Sequence, residues 1–365
     1  MTRTKHSKPV SLKFLAEHLG LSQGTVSMAL SANVDATGVA LKTRERVLKA
    51  AARFQYRPNH HARSLSKGKS NTIGVIVPAI SEGYYSTIIS SIETHLLEQD
   101  YFFFVTSHRW NHELLDRLPE LLMSRGAEGI ILINTTLDRD LPVPTVRIGG
   151  TKRHERSTNV CLNEERGAQL ALEHLYRLGH RDIAFVRGEK ESTATKARWE
   201  GIMRSAGQMS VRVRPELTIQ LELGSWRAAA RYGYVGYHAA NELLAHRVPF
   251  TALFAYNDST AIGAIRAFRD AGLRVPEDIS VVGYDDIPSA EYERPALTTV
   301  RQPLDKMGQL AAEVLLRAIE GDSQPNRILV EPEMVVRSST AAMRGSKQTR
   351  KTAVRAKTTR RVAAS

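Results

Sequence analysis

Near its start the chain carries the stretch Leu12-Lys-Phe-Leu-Ala-Glu-His-Leu-Gly-Leu-Ser-Gln-Gly-Thr-Val-Ser-Met-Ala-Leu30, which decides the fold of its first part. Apolar residues recur at helical spacing up to Gly20, and Ser11 is a suitable N-cap, so the spacing predicts one short helix. Ser22 begins a second helix after the glycine-containing turn. The inward face of this second helix is predicted to consist of Val26, Ala29 and Leu30.

A third amphipathic helix is predicted from Lys42 to Phe54. Its apolar stripe is predicted to be Val47, Leu48, Ala51 and Phe54, and its wet side to carry Arg44, Arg46, Lys49 and Arg53. Three short helices make a small headpiece, and the second helix of a helix-turn-helix fits the major groove of DNA. A plain helical hairpin has the same periodicity, so this pattern leaves both interpretations open.

The charge of the chain is concentrated at its two ends. The formal net charge is +13. Residues 1–70 contain 13 Lys+Arg against three acids, and residues 343–365 contain eight Lys+Arg and no acid, which leaves 30 basic against 35 acidic residues between them. A basic front on a mildly acidic body favours a polyanionic partner for the front, whereas scattered lysine and arginine would only aid solubility.

Several classes of protein are excluded by what the sequence lacks. No apolar run approaches the roughly 20 residues that cross a bilayer, and residues 1–9 are basic and polar, unlike a signal peptide, so we expect a cytoplasmic location and no membrane partner. The single cysteine, Cys161, excludes an internal disulfide framework and a CxxC metal site. No GxGxxG, Walker A, HExxH or GxSxG motif is present, so we expect no enzyme activity, no metal and no cofactor.

From Thr72 onward, apolar strand-like runs alternate with amphipathic helices, which indicates parallel sheets covered on both faces. The predicted strands form a first set at 73–77, 101–105, 130–133 and 143–148 and a second set at 183–186, 251–255 and 279–282. The helices between them are predicted at 85–99, 112–124, 164–178, 227–244 and 259–270. Two sets of strands imply an α/β fold with two doubly wound, parallel-sheet lobes.

Ligands of such sheets bind at the carboxyl ends of the strands, so candidate contacts can be chosen by position. The candidates lie in Ser81-Glu-Gly-Tyr-Tyr85 after the first strand, in Asn257-Asp258 after the sixth and in Gly283-Tyr-Asp-Asp286 after the seventh, together with Arg198 and Trp226 in the second lobe. Several residues of these segments also have a purely structural interpretation. A tyrosine can pack a helix start, Arg198 can pair with Glu200 or another surface acid, and Asp258 can cap the helix that begins at Ser259.

Characteristic sequence motifs between residues 9 and 340 add to these patterns. Besides the opening stretch it contains Tyr56-Arg-Pro-Asn-His-His-Ala-Arg-Ser-Leu65, Leu178-Gly-His-Arg-Asp-Ile183, Ala255-Tyr-Asn-Asp258 and Ala271-Gly-Leu-Arg-Val-Pro-Glu-Asp-Ile-Ser-Val-Val-Gly-Tyr-Asp-Asp286. Together these phrases closely resemble the lactose-repressor/galactose-repressor (LacI/GalR) family of transcriptional regulators. The resemblance implies a three-helix DNA-binding headpiece, a hinge, and a two-lobed body like that of a periplasmic binding protein.

The resemblance also implies functional positions. The DNA contacts it implies are Ser22, Gln23, Gly24, Thr25, Ser27 and Met28 in the headpiece and Asn59, His60, Ala62, Arg63 and Leu65 in the hinge, with Leu65 as the wedge between central base pairs. The effector contacts it implies are Tyr84, Tyr85, Arg198, Trp226, Asn257 and Asp285.

The chain departs from the family pattern at several of these places. Met28 and Gly24 offer little direct readout of bases, so Gln23 has to carry most of it. Ala40 replaces the serine cap expected before the third helix. Beside the pocket, Glu82-Gly83 and Leu162-Asn163 replace the usual residues. These last two departures leave the class of ligand open.

The expected organisation is a headpiece at 9–57, a hinge helix and linker at 58–70, an effector-binding and dimerisation domain at 71–340, and a disordered basic tail at 343–365. Lobe one of the body is expected at 71–163 and 296–325, and lobe two at 164–293 and 327–340. The predicted function is a homodimeric repressor that binds double-stranded operator DNA under the control of a sugar-like effector between the lobes. A purine or another metabolite is the alternative effector, and a cytoplasmic sugar-binding protein without operator specificity is the alternative function.

Overall fold

A computed structural model describes residues 10–30, 38–56, 69–81, 83–149, 157–190, 192–222 and 232–343. The chain divides into two compact units, one up to Ser70 and one from Asn71 onward. Outside the described residues lie Trp226, the tail beyond Met343 and the predicted hinge contacts Asn59, His60, Ala62, Arg63 and Leu65. Within the described ranges, no helix has the length and apolar character needed to cross a membrane.

The first unit contains three short helices: α1 Leu12–Leu19, α2 Gln23–Ala29 and α3 Leu41–Arg53. Ser11 caps α1 by accepting a hydrogen bond from the Phe14 amide, and Gly20 ends that helix in the left-handed region with a φ of 65°. The small apolar core consists of Leu15, Ala16, Val26, Ala29, Val47 and Ala50. The predicted helix-turn-helix and third helix are therefore confirmed.

One member of the predicted apolar stripe of α3 is wrong. Leu48 is 45% exposed, whereas Ala50, outside the predicted stripe, is buried. Val47, Ala50, Ala51 and Phe54 follow the i, i+3, i+4, i+7 spacing of a single helical face, and all four pack in the core of this unit. Leu48 falls outside this spacing, because it lies roughly 100° around the helix axis from Val47 and thus at the edge of that face.

Two arginines of α3 tie the headpiece helices together. Arg44 Nε donates a hydrogen bond of 3.3 Å to the carbonyl of Ala29 at the end of α2, and Arg46 Nη2 donates one of 3.3 Å to the carbonyl of Leu19 at the end of α1. Because the carboxyl end of a helix carries partial negative charge, each arginine stabilises the helix end that it meets. Ala40, at the N-cap of α3, makes no side-chain cap, as the sequence predicts.

The second unit contains two six-stranded sheets. All strands of the first sheet are parallel, in the spatial order Arg327–Val330 (β11), Ser157–Leu162 (β5), Thr145–Ile148 (β4), Gly129–Ile133 (β3), Thr72–Val77 (β1) and Phe102–Ser107 (β2). Packed against this sheet are the helices α4 Gly83–Glu98, α5 His112–Ser124 and α11 Leu304–Ile319. Helix α5 runs through Pro119 without restarting.

The second sheet has the spatial order Glu333–Val335 (β12), Thr298–Arg301 (β10), Ser280–Asp285 (β9), Ala252–Phe254 (β8), Ile183–Arg187 (β6) and Thr218–Gln220 (β7). Strand β12 pairs antiparallel with β10, and the other pairs are parallel. The helices of this lobe are α6 Glu164–Arg177, α7 Thr193–Gln208, α8 Tyr232–Ala245, α9 Asp258–Asp270 and α10 Pro288–Tyr292, with a short 3-10 helix at Pro215–Leu217. The predicted two-lobed α/β architecture is confirmed.

The boundaries expected for the lobes need correction. Thr298–Arg301 belongs to the second sheet rather than to the first lobe, and Arg327–Val330 belongs to the first sheet rather than to the second lobe. Strands of only four residues fit either sheet equally well by pattern, so the two sheets are distinguished only by how these strands pair. Cys161 lies in an inner strand of the first sheet, because β5 lies between β4 and β11.

As a result, the chain passes between the two sheets three times: after β5, between β10 and α11, and between β11 and β12. Two of these crossings are bonded to each other. The Asn163 side-chain amide donates to both carboxylate oxygens of Glu331 at 3.1 Å, and the Asn163 backbone amide donates to the carbonyl of Val330 at 2.9 Å.

Candidate functional site

Residues that follow strands of both sheets line a single cleft, whose empty space is about 590 Å³ when the solvent at its open mouth is included. The lining residues are Tyr84, Tyr85, Asn134, Gly149, Leu162, Glu164, Ala194, Arg198, Tyr256, Asn257, Asp285, Gln302 and Met307. Five of the six predicted effector contacts are among them, and the sixth, Trp226, lies outside the described residues. Side chains far apart in sequence thus meet at the carboxyl ends of the strands, where ligands of such sheets bind.

Arg198 is buried in the wall that the second lobe contributes. Its Nε donates to Glu164 Oε2 at 2.9 Å, its Nη2 donates to Glu164 Oε1 at 3.4 Å, and its Nη1 donates to the carbonyl of Tyr256. The guanidinium lies 3.4 Å from the centre of the Tyr284 ring, and the hydroxyl of Tyr284 donates to Glu164 Oε2 at 3.0 Å. A surface pair with Glu200 is therefore wrong, because the partner of Arg198 is an acid inside the cleft.

The charge of Arg198 is maintained by these neighbours. Burial, the largest single effect, lowers the pKa of Arg198, but the attraction and hydrogen bond of Glu164 and the attraction of Tyr284 and Tyr256 together outweigh it, so the pKa is raised. The guanidinium is consequently a permanent cation whose charge is balanced within the wall of the cleft.

Asp285 ends β9 in a strained conformation, with a φ of 111°. It is 7% exposed, and its Oδ1 accepts a hydrogen bond of 2.6 Å from Gln302 Nε2. Burial raises the pKa of Asp285 to about 7, against the lowering effects of Arg198 and Gln302. This carboxyl group therefore changes protonation state near neutral pH, and it can accept hydrogen bonds from ligand hydroxyls when ionised.

A second carboxyl group, that of Asp258, is fully buried near Asp285. It accepts hydrogen bonds from Thr299 Oγ1 at 2.5 Å and from the Ile287 amide at 2.9 Å. Burial, followed by the neighbouring Asp285, raises the pKa of Asp258 well above its ordinary value. Asp258 thus connects β10 with the start of α10 and does not line the cavity.

The cap of α9 is Asn257 rather than Asp258. Asn257 Oδ1 accepts a hydrogen bond of 2.9 Å from the Thr260 amide, which corrects the alternative that Asp258 caps this helix. Since the cap occupies the oxygen of the side chain, the NH₂ group of Asn257 is the part that it can offer to a ligand.

Tyr84 and Tyr85 belong to the opposite wall, in the first turn of α4. Their rings are perpendicular, with centres 5.2 Å apart, and both side chains are buried in the main apolar cluster. Burial raises the pKa of Tyr84, and the negative charge of Asp285 is the next cause, so the phenol stays neutral. The packing interpretation of these tyrosines is correct, and because they also line the cavity, a role in binding remains compatible with it.

The positional argument missed Glu164, Tyr256, Gln302 and Asn134. Glu164 and Gln302 follow β5 and β10, two strands that the sequence pattern did not reveal, so the rule of strand ends did not reach them. Tyr256 directly precedes Asn257 in a phrase that was recognised. The signal for Tyr256 was therefore present, although only its neighbour was singled out.

The predicted DNA-binding surface of the headpiece is accessible. Gln23, Gly24, Ser27 and Met28 are exposed on α2, with Met28 at 45%. Ser22 caps α2 by accepting a 3.0 Å hydrogen bond from the Thr25 amide, and the two hydroxyls lie 2.9 Å apart. Two of the predicted contacts therefore also stabilise the start of the helix that presents the others.

Comparison with known proteins agrees with this architecture. A model for the periplasmic binding protein-like domain matches residues 172–340. The HTH-type transcriptional repressor PurR of Haemophilus influenzae is 31% identical over 343 residues, covering 90% of this chain and 98% of the relative. The PurR of Pasteurella multocida is 30% identical, with coverage of 90% and 98%.

Solved structures give the same result. The Lac repressor dimer bound to operator and the anti-inducer ONPF has a TM-score of 0.81 at 28% identity and covers 92% of this chain and 100% of its own. The transcriptional regulator CelR in complex with cellobiose has a TM-score of 0.66 at 28% identity, with coverage of 90% and 99%.

Proposed function

This chain belongs to the LacI/GalR family of transcriptional repressors, and from that premise we propose that it binds a specific operator as a homodimer and senses a sugar or sugar derivative in the cleft between its two lobes. The relative from Haemophilus influenzae and the structural neighbour bound to operator are both named repressors, and neither is named an enzyme. One observation carries the proposal: a cleft lined by the predicted contacts from both lobes lies in the same chain as a helix-turn-helix with an exposed second helix.

The chemistry of the lining supports a polyhydroxylated ligand. Asp285 and Gln302 can accept hydrogen bonds from hydroxyl groups, Asn257 can donate one, and tyrosine rings can cover the apolar face of a sugar. One structural neighbour is a complex with cellobiose. A purine is the second candidate, because the relatives of 30% and 31% identity are named PurR and the same tyrosines can stack on a planar base.

The proposed mechanism is thermodynamic linkage between the two sites. A dimer places two recognition helices in successive major grooves of a pseudopalindromic operator. An effector shifts operator occupancy only by the difference between its affinities for the DNA-binding and DNA-free states. The direction of the effect depends on which state the closed cleft favours.

The test combines an operator selection with an effector screen. Selection from random duplexes at moderate ionic strength is expected to enrich one pseudopalindrome. Thermal unfolding in the presence of sugars, sugar phosphates and purines is expected to show a raised Tm for one class, since a ligand of the folded state stabilises it by mass action. A chain that prefers no duplex over competitor DNA, with and without these metabolites, would refute the proposal.

A further inference from the structure

We propose that Glu164 makes the cleft selective for uncharged ligands, because it occupies the positive charge that Arg198 would otherwise present to an anion. The inference rests on the proposed function in one respect, namely that the cleft is the effector site. It assigns a role in ligand specificity to a residue outside the set predicted from position.

The charges in the cleft argue for this role. Among the described residues that line the cavity, three carry ionisable charges: Glu164, Arg198 and Asp285. The first two cancel, and Asp285 adds either a negative charge or none. From this described part of the lining an anionic ligand therefore meets no unbalanced positive charge, and it is repelled by the same residues whenever Asp285 is ionised. If Arg198 lacked its partner, its positive charge would be balanced only by Asp285, and only while that carboxyl group is ionised.

The pair is held in place from several sides. Glu164 is the first residue of α6, where the positive end of the helix favours a carboxylate, and it accepts a further hydrogen bond from Tyr284. The Arg198 and Glu164 side chains are 6% and 11% exposed, so little water weakens their attraction. A ligand must therefore compete with a shielded and geometrically satisfied ion pair in order to recruit Arg198.

The adjacent residue provides a matched control. Glu165 pairs with Arg204 through two hydrogen bonds of 2.9 and 2.8 Å, so the pair has the same chemistry and lies one position along the same helix. Its side chains, however, are 57% and 53% exposed, and neither residue lines the cavity. Exposed pairs of this kind contribute little to stability. A comparison of the two acids separates the effect of the cleft from the effect of losing any glutamate.

The experiment uses the full chain and inorganic phosphate as the probe. Thermal unfolding of wild type, Glu164→Gln, Glu165→Gln and the double variant Glu164→Gln/Arg198→Met is measured in sodium phosphate and in sodium chloride of equal ionic strength. In chloride, Glu164→Gln is expected to lower Tm by roughly 10 °C, because it leaves a buried cation without its counter-charge. Phosphate is expected to restore about 5 °C to this variant alone, and the other three proteins are expected to respond by less than about 1 °C.

Calorimetric titration of phosphate into Glu164→Gln is expected to give one site per chain, and titration into wild type is expected to give none. Three results would overturn the inference: equal stabilisation of wild type by phosphate, a folded Glu164→Gln without a phosphate response, or a response of the double variant that equals that of Glu164→Gln. Should Glu164→Gln fail to fold, Glu164→Asp withdraws the carboxylate by one methylene, and it must then show a smaller phosphate response than expected above but a larger one than wild type.

Operator binding of each protein is measured separately by mobility shift. A wild-type chain without operator preference would refute the proposed function and leave the phosphate result to decide the role of Glu164. The two failures are therefore distinguishable.

Discussion

The two walls of the cleft are built in different ways. The wall from the first lobe presents mainly uncharged groups, such as the rings of Tyr84 and Tyr85 at the start of α4. The wall from the second lobe presents charged and polar groups that are already bonded to one another, namely the Arg198–Glu164 pair and Asp285 with Gln302. We therefore expect the second-lobe wall to select the ligand by charge and hydrogen bonding, and the first-lobe wall mainly to cover it.

The largest effect is expected when the Asp285 carboxylate is removed from the second-lobe wall. Asp285→Ala is expected to weaken effector binding by about 100-fold, the loss typical of a hydrogen bond to a charged group, and to change operator affinity in the absence of effector by less than about twofold. Effector titration by calorimetry and operator titration by fluorescence anisotropy measure the two quantities. Equal losses of both would mean that Asp285 supports the fold rather than the ligand.

A smaller effect is expected on the opposite wall. Tyr84→Ala is expected to weaken effector binding by about 10-fold, through loss of a ring that covers the ligand. Tyr84→Phe keeps the ring and is the matched control, so a loss of similar size in this variant would assign the effect to the hydroxyl. If Tyr84→Ala cost more affinity than Asp285→Ala, the roles of the two walls would be reversed.

The pH dependence of binding tests the second-lobe wall without mutation. A neutral ligand whose hydroxyls donate to Asp285 prefers the ionised carboxylate, whose pKa is about 7 in the folded protein. Its affinity is therefore expected to rise about threefold between pH 6.5 and 7.5 and to lose this dependence in Asp285→Asn. An affinity of wild type that falls over the same interval would show that the protonated carboxyl group binds the ligand.

The smallest expected effect is on stability. Its pH dependence is opposite to that of ligand affinity, because stability falls as the pH rises. Because the pKa of Asp285 is about 7 in the folded state, above its ordinary value of 3.8, the folded protein retains a proton that the unfolded chain releases. The stabilising contribution is complete below about pH 4 and is lost as the pH rises through 7. The Tm of Asp285→Asn relative to wild type is thus expected to rise by a few degrees between pH 5 and 8. Parallel melting curves of the two proteins would contradict the shift.

The fold was predictable from sequence wherever a helix or strand has a clear local pattern of apolar residues. All seven predicted strands are present, and helix α5 begins and ends where its pattern predicts. The pairing of short strands was not predictable. Thr298–Arg301 and Arg327–Val330 exchange sheets relative to expectation, because a strand of only four residues carries no information about which sheet it joins.

The candidate site divides in the same way. Position after a strand was enough to place Asn257 and Asp285 in the cleft. The partner of Arg198 was not predictable, since Glu200 is close in sequence but Glu164, thirty-four residues earlier, is close in space. Local sequence therefore identifies which groups reach the cleft, and the tertiary packing of α6 against α7 decides which of them neutralise each other.

The three passages of the chain between the sheets have a mechanical consequence. Two lobes that are joined by three crossing segments, here called straps, can rotate about an axis through the straps. They resist sliding and twisting relative to each other. Gln302 sits on one of these straps and donates its hydrogen bond to Asp285, and two other straps are fastened together by Asn163 and Glu331. We therefore expect a molecule that contacts Asp285 to act close to this axis of rotation.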